Sequence, residues 1–266
     1  MIHDGPLWLV GAGNMGGAML RGWLDAGLDP AQLVVINRSG TPPAEGIVTV
    51  TTPPDGAVPA TILLGVKPQM FDDVAPWIAP LAGPGTLLVS MLAGVEIASL
   101  AQRFPQAALC RIMPNTPVAI GRGVIGLHGP ALAPAERARI DALMTPLGLA
   151  EWIDDEAAFD LVTALAGSGP AFLYRFIEAL GRAGAALGLP ADQAARLTLA
   201  TVDGAARLAA ESNEDPGRLA DRVASPGGST RKGLDVLDAD PGLADLLRRT
   251  LAAAVARNRE MAAAAR

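Results

Sequence analysis

The chain has 266 residues, half of them hydrophobic, a formal net charge of −6 and a single cysteine. That is enough for a sizeable core. The acidic balance and the lack of a basic run exclude a nucleic-acid surface. One cysteine excludes an internal disulfide framework and fits a reducing compartment. Cys110 sits in an apolar run and reads as buried filler rather than a nucleophile. The opening MIHDGPLWLV has no basic segment ahead of its apolar run, so no signal peptide is expected. The uncharged stretch Val74–Val95 is broken by Pro76, Pro80, Gly83, Pro84 and Gly85, so it reads as two short elements rather than a membrane span. These features predict a soluble, cytoplasmic protein with no membrane partner.

In chain order, Leu7–Val10 reads as a strand, Met15–Ala26 as a helix and Leu33–Ile36 as a second strand. A short Ile47–Val50, a clear strand Thr61–Val66 and a helix near Met70–Ile78 follow. Thr86–Ser90 is the next strand and Glu96–Arg103 the next helix. Leu109–Met113, Val124–Leu127 and a helix Ala135–Thr145 finish this half. Strand–helix alternation with continuous apolar strands predicts an α/β fold, a mostly parallel sheet covered on both faces. After about Asp154 no convincing strand remains. Glu156–Ala166 reads as helical and is broken by Gly167-Ser168-Gly169-Pro170. Helices Ala171–Leu187, Ala191–Ala210, Pro216–Val223 and Leu243–Ala263 complete the chain. Their apolar residues lie on more than one face, which needs cover in a core or against another subunit, so a homo-oligomer built through this half is expected. The division places one domain at 1–154 and an all-α domain at 155–266.

Gly11-Ala12-Gly13-Asn14-Met15-Gly16 is a GxGxxG that follows an apolar strand and opens a helix. In that context it predicts dinucleotide binding. The first glycine makes the tight turn, the second admits the pyrophosphate, and the third lets helix pack on strand. An acid at the end of the second strand would bind a ribose 2′-hydroxyl. Here the strand ends in Asn37-Arg38-Ser39, which favours NADPH over NADH; the alternative is a plain polar turn with Arg38 in water. Ligands of such sheets sit beyond the carboxyl ends of the strands. Val66-Lys67-Pro68-Gln69, Ser90–Gly94 (with Ala93) and Met113–Pro117 (with Asn115) occupy such ends and are expected to line the nicotinamide side. Lys67 has a solvated surface lysine as its alternative reading.

Ala224–Leu237 is a Pro-Gly-Gly turn running into an apolar-periodic helix. Gly227 and Gly228 allow positive φ and close backbone approach. Ser225, Ser229 and Thr230 surround the turn, and Ser229 or Thr230 is placed to cap the helix. Free N–H groups at a helix start can bind a small carboxylate, with the Thr230 hydroxyl beside the reacting atom. An ordinary loop before a capped helix fits the local pattern as well.

Five runs together resemble the pyrroline-5-carboxylate reductases: GAGNMG (Gly11–Gly16), VKPQ (Val66–Gln69), MPNTP (Met113–Pro117), GSGPAF (Gly167–Phe172) and SPGGSTRKGL (Ser225–Leu234). The last looks like that family's signature, and the likeness runs nearly end to end. The resemblance implies an N-terminal Rossmann-like dinucleotide-binding domain followed by an all-α dimerisation domain. It implies dimers that often assemble further, commonly into decamers. It also implies reduction of the cyclic imine 1-pyrroline-5-carboxylate to L-proline with NADPH or NADH. Carried onto this sequence, Ser225 and the backbone of Gly228, Ser229 and Thr230 hold the substrate carboxylate, Thr230 hydrogen-bonds the ring nitrogen, and Glu156 matches an acid near the substrate. Ser229 stands where Thr or Ala is usual, Thr52 where many members have an Asn near the adenosine ribose, and Arg222 where an amide is frequent.

Candidates for acid–base work are scarce: two histidines, His3 near the start and His128 after an apolar strand, and one tyrosine, Tyr174, within a helix. Neither histidine has a nucleophile to partner, and a metal site finds no ligand cluster. β-Hydroxyacid dehydrogenases share the domain order but resemble one another in needing a lysine on the first long helix after the cofactor domain. Residues 171–187 contain none. A related cyclic imine as substrate, or a non-catalytic NADP sensor on the same fold, stay as alternatives.

Overall fold

The computed structural model describes residues 5–54, 56 and 58–264, so the expectations for His3 and the opening residues lie outside the described residues. The chain divides by internal packing into two compact units, 1–168 with 254–266, and 169–253.

The first unit is built on a sheet ordered β3-β2-β1-β4-β5-β6-β7-β8. Its elements are β1 (Leu7–Val10), α1 (Asn14–Asp25), β2 (Leu33–Ile36), β3 (Val48–Val50), β4 (Thr61–Leu64), α2 (Phe71–Ile78), β5 (Leu87–Ser90) and α3 (Ile97–Arg103). They continue as β6 (Ala108–Pro114), β7 (Gly123–His128), α4 (Pro134–Met144), β8 (Gly148–Trp152) and the short α5 (Phe159–Val162). Every strand pair is parallel except β6–β7, which is antiparallel.

Continuous apolar strands feed cores on both faces. Leu7 and Leu9 pack with Met19, Trp23, Leu63 and Ile112, while Trp8 and Val10 pack with Ile62, Leu64, Phe71 and Phe104. The alternation follows from the two-residue period of a strand. The order reverses beside β1, between β2 and β4, so the ends of β1, β2 and β4 open a crevice where such sheets take ligands.

One strand was not legible in the sequence. β8 reads GLAEW, poor in β-formers, and lies at the sheet edge beside β7. Its first residue, Gly148, has φ +137°, and a Cβ there would sit 2.1 Å from the Gly123 carbonyl oxygen. The Gly-Ser-Gly-Pro run does not simply break the helix before it. A π turn over Thr163–Gly167 follows α5, with the Ser168 N–H donating to the Thr163 carbonyl at 2.9 Å, and the next helix begins at Gly169.

The second unit carries α6 (Gly169–Ala186), α7 (Ala191–Glu211), α8 (Pro216–Val223), α9 (Ser229–Leu237) and the start of α10 (Leu243–Ala264). α6 ends where Gly188 adopts φ +115°, and Pro190 caps α7. The two helices meet through small residues, a Cβ on Gly181 falling 3.7 Å from Ala195 Cα and Thr198 Oγ1. Gly181, Ala194 and Thr198 are buried, whereas Leu173, Phe176, Leu180, Leu197, Leu199 and Leu208 are exposed. Among the described residues no helix is long and apolar enough to cross a membrane.

α1 lies close under the turn after β6. A Cβ on Gly22 would sit 2.4 Å from the Val118 carbonyl oxygen, a backbone atom that cannot swing aside. Gly22→Ala is therefore expected to destabilise the protein by about 1–3 kcal/mol, the usual cost of overpacking. Urea denaturation checks this, and an unchanged midpoint would mean that helix and turn separate freely.

Candidate active site

β1 ends at the glycine motif. Gly11 has φ +91°, and a Cβ there would come within 2.9 Å of the Gly65 backbone. Gly16 packs α1 onto the same turn, since its Cβ would stand 2.7 Å from the Gly11 carbonyl oxygen. Gly13 differs: it is the N-cap of α1 with φ −71°, and a Cβ there meets nothing within 4 Å. The space in front of Gly13 and the open first turn of α1 suits a phosphate group. The residues present thus fit a dinucleotide.

A cavity of about 370 Å³ gathers Gly11, Gly13, Asn37, Arg38, Ser39, Thr51, Val66 and Lys67. The β2 end is held by its own hydrogen bonds. Asn37 Nδ2 donates to the Thr41 carbonyl at 3.0 Å, and the Ser39 hydroxyl donates to Asn37 Oδ1 at 3.1 Å. Arg38 reaches only the Met70 thioether, at 4.0 Å, so among the described residues its charge has no carboxylate partner. Thr51 rather than Thr52 lines this cavity. Lys67 lines this cavity as well, whereas Pro68 and Gln69 of the same run line the next one.

A second cavity, about 480 Å³, continues from the next residue along. Pro68, Gln69, Ala93, Gly94, Arg111 and Met113 line it, with Asp160, Thr163 and the end of α10. It sits beyond the carboxyl ends of β4, β5 and β6. Asn14, Met15 and Gly16 line neither cavity and form the first turn of α1. Asn115 is also absent from both linings. Its Nδ2 donates to the Ala166 carbonyl at 3.0 Å and its Oδ1 accepts from the Val124 N–H at 2.9 Å, so its amide holds the π turn to β7.

Glu156 is committed within the first unit. Its Oε1 accepts from Arg111 Nη1 and from the Ile97 N–H, each at 2.9 Å. Arg111 was missed as a site residue. The available signal was a lone charge in the apolar strand ALCRIMP, because a buried guanidinium needs a partner. The end of α10, with Asn258 donating to the Asp160 carbonyl at 3.1 Å, gave no sequence signal at all. Cys110 is buried, and desolvation pushes its thiol up to about 12, which leaves it inert.

In the second unit the Pro-Gly-Gly turn has the expected shape but a different cap. Gly227 has φ +71°, and the N-cap of α9 is Gly228, with no side-chain cap from Ser229 or Thr230. The Gly228 N–H already donates to the Ser225 carbonyl at 3.0 Å. A Cβ on Gly228 would stand 2.6 Å from Ser225 Oγ, so this glycine serves by leaving room for that hydroxyl. Ser229 and Thr230 are the first two residues of α9, where N–H groups lack an intrahelical acceptor. Arg222 pairs with Glu214 at 2.6 Å.

Comparison with known proteins bears on both units. The chain is 36% identical to the pyrroline-5-carboxylate reductase of Pseudomonas aeruginosa over 95% of each chain. The chain belongs to the pyrroline-5-carboxylate reductase family. The family model for pyrroline-5-carboxylate reductase dimerisation matches residues 156–261, and the model described as NADP oxidoreductase coenzyme F420-dependent matches 7–94. A pyrroline-5-carboxylate reductase structure from Coxiella burnetii superposes with a TM-score of 0.89 at 30% identity, covering 96% of this chain and 98% of its own. A pyrroline carboxylate reductase from Plasmodium falciparum, solved with NADP bound, gives 0.86 at 26% identity, covering 98% and 99%. The fold expected from the sequence, a Rossmann-like α/β part followed by a helical dimerisation part, is that of this family.

The geometry separates the glycines of the motif. Gly13→Ala is expected to leave thermal stability unchanged while weakening dinucleotide binding at least about tenfold, because the methyl enters space the pyrophosphate needs. Calorimetric titration checks both halves. Undiminished binding would move the pyrophosphate away from Gly13.

Proposed function

We propose that this chain reduces the C=N bond of 1-pyrroline-5-carboxylate to L-proline, with NADPH preferred and NADH second. The observation that carries the reading is the presence in one chain of two backbone sites. One is the open space before Gly13, and the other is the glycine turn ahead of Ser229 and Thr230. Relatives bearing this name cover nearly the whole chain, which supports it.

Residues 1–154 hold the cofactor in this reading. Gly11–Gly16 cradle the pyrophosphate, with Asn14 and Met15 in the first turn. Arg38, uncompensated by any carboxylate among the described residues, meets the 2′-phosphate with Asn37 and Ser39 beside it. Val66 and Lys67 follow the dinucleotide along the β4 end, Pro68 and Ala93 wall the nicotinamide end, and Asn115 holds the π turn whose Thr163 lines the same cavity. When bound, NADPH supplies the hydride that reaches the imine carbon.

Residues 155–266 serve the substrate and dimerisation. The N–H groups of Ser229 and Thr230 and the Ser225 hydroxyl hold the substrate carboxylate, with Gly228 keeping the turn open. The Thr230 hydroxyl orients the ring nitrogen and relays a proton to it from water. Glu156 enters the site through Arg111, which lines the larger cavity. The exposed Leu173, Phe176, Leu180, Leu197 and Leu199 support a homo-oligomer, a dimer or a decamer of dimers, in which a second copy covers them. A single buried cysteine supports a cytoplasmic location. α6 has no lysine, and of the chain's two lysines Lys67 lines the smaller cavity while Lys232 pairs with Asp235, which argues against a hydroxyacid dehydrogenase.

The direct test mixes the protein with 1-pyrroline-5-carboxylate and NADPH and follows nicotinamide absorbance. Oxidation with proline as product is the expected result. Binding without oxidation would point to another cyclic imine, and then to a sensor. Thr230→Ala is expected to lower kcat by about 10- to 100-fold with NADPH affinity intact; an unchanged kcat removes Thr230 from the chemistry. Arg38→Ala should weaken NADPH by about tenfold or more and leave NADH nearly unaffected. Equal losses for the two cofactors would show that Arg38 does not read the 2′-phosphate.

A further inference from the structure

Arg111 is the single charge in β6, and its side chain is 5% exposed. Its guanidinium carbon lies 4.7 Å over the Phe159 ring and its Nη1 meets Glu156 at 2.9 Å, yet its buried Nε has no hydrogen-bond partner among the described residues. Burying a cation and orphaning one of its donors is unfavourable, and an apolar residue would fill the strand position at less cost. Fold stability therefore does not account for Arg111.

The arrangement acts on the loop between β5 and α3. Glu156 Oε1 also accepts the N–H of Ile97, the first residue of α3, at 2.9 Å. The N-cap residue Glu96 makes no side-chain cap bond, so a carboxylate 59 residues away in sequence does the capping. The loop 91–96 carries Ala93 and Gly94 into the wall of the larger cavity. Its near end is tied by the Met91 N–H to the Leu64 carbonyl at 3.1 Å, and its far end by Glu156. His128 closes the other side, its Nε2 4.0 Å from Glu156 Oε2 and its Nδ1 2.7 Å from the Ile153 carbonyl oxygen.

We propose that Arg111 and Glu156 are positioning residues. Arg111 fixes the Glu156 carboxylate, which pins the start of α3 and holds the Ala93–Gly94 wall in place for the nicotinamide end of the cofactor. The inference rests on the cofactor reading above. It assigns to these two residues a role at one end of the dinucleotide only.

The experiment compares two nucleotides by calorimetry on the full chain: NADPH, and adenosine 2′,5′-bisphosphate, which lacks the nicotinamide. Glu156→Ala is expected to bind the bisphosphate within about twofold of the parent and NADPH about tenfold more weakly. Its kcat should fall as well. Glu156→Gln keeps an acceptor for the Ile97 N–H and should recover most of the NADPH affinity. Equal weakening of both nucleotides, or of neither, overturns the proposal. If Glu156→Ala does not fold, the same criterion applied to Arg111→Met decides the matter. A parent protein that binds neither nucleotide overturns the cofactor reading itself, and the clamp with it.

Discussion

One carbonyl group sets the shape of the nucleotide end of the sheet. The Gly11 oxygen lies where a Cβ on Gly16 would come within 2.7 Å and a Cβ on Gly65 within 2.6 Å. Three backbone segments, the end of β1, the start of α1 and the end of β4, thus converge with no side chain between them. Any larger residue at Gly16 or Gly65 would push helix from strand or strand from strand. Positive φ at Gly11 turns the chain sharply enough to start α1 there. Gly13 escapes this crowding, since a Cβ there would meet no described atom within 4 Å.

From that turn the remaining cofactor-side geometry follows by sheet order. β2 flanks β1 on one side and β4 on the other, so Asn37-Arg38-Ser39 and Val66-Lys67 emerge on either side of the glycines. The loop after β2 is held by its own hydrogen bonds, and Arg38 has no carboxylate partner among the described residues. Further along, β5 and β6 deliver Ala93, Gly94, Arg111 and Met113 to the next cavity. Position along the sheet therefore decides which of the two cavities each strand end lines.

The second unit obeys a different constraint. α6 and α7 bury little beyond Gly181, Ala194 and Thr198, while large apolar side chains on both helices remain exposed. Small residues let the pair approach closely, but they supply little hydrophobic stabilisation. A fold of this kind gains stability when a second surface covers the leucines. The glycine turn at Gly227–Gly228 is self-contained by comparison: positive φ, the Gly228 to Ser225 hydrogen bond and the absent Cβ together shape it locally.

Local chemistry explains what the sequence by itself determined. Gly11, Gly13 and Gly16 are legible because each answers a steric demand of a strand–turn–helix unit, and the parallel strands are legible because burial on both faces makes them continuously apolar. Gly227 and Gly228 announce a turn for the same reason. What the tertiary structure decided involves partners distant in sequence. β8 exists because β7 offers it an edge, not because GLAEW prefers a strand. Asn115 spends its amide on Ala166 and Val124, Lys67 joins the cavity lined by Gly11 and Arg38, and Glu156 caps a helix that begins at Ile97. The Gly228 cap in place of Ser229 or Thr230 likewise depends on where Ser225 folds back. Periodicity and propensity report the needs of neighbouring residues. A hydrogen bond between residues 97 and 156 leaves no mark on either local pattern, and only the folded chain brings the two together.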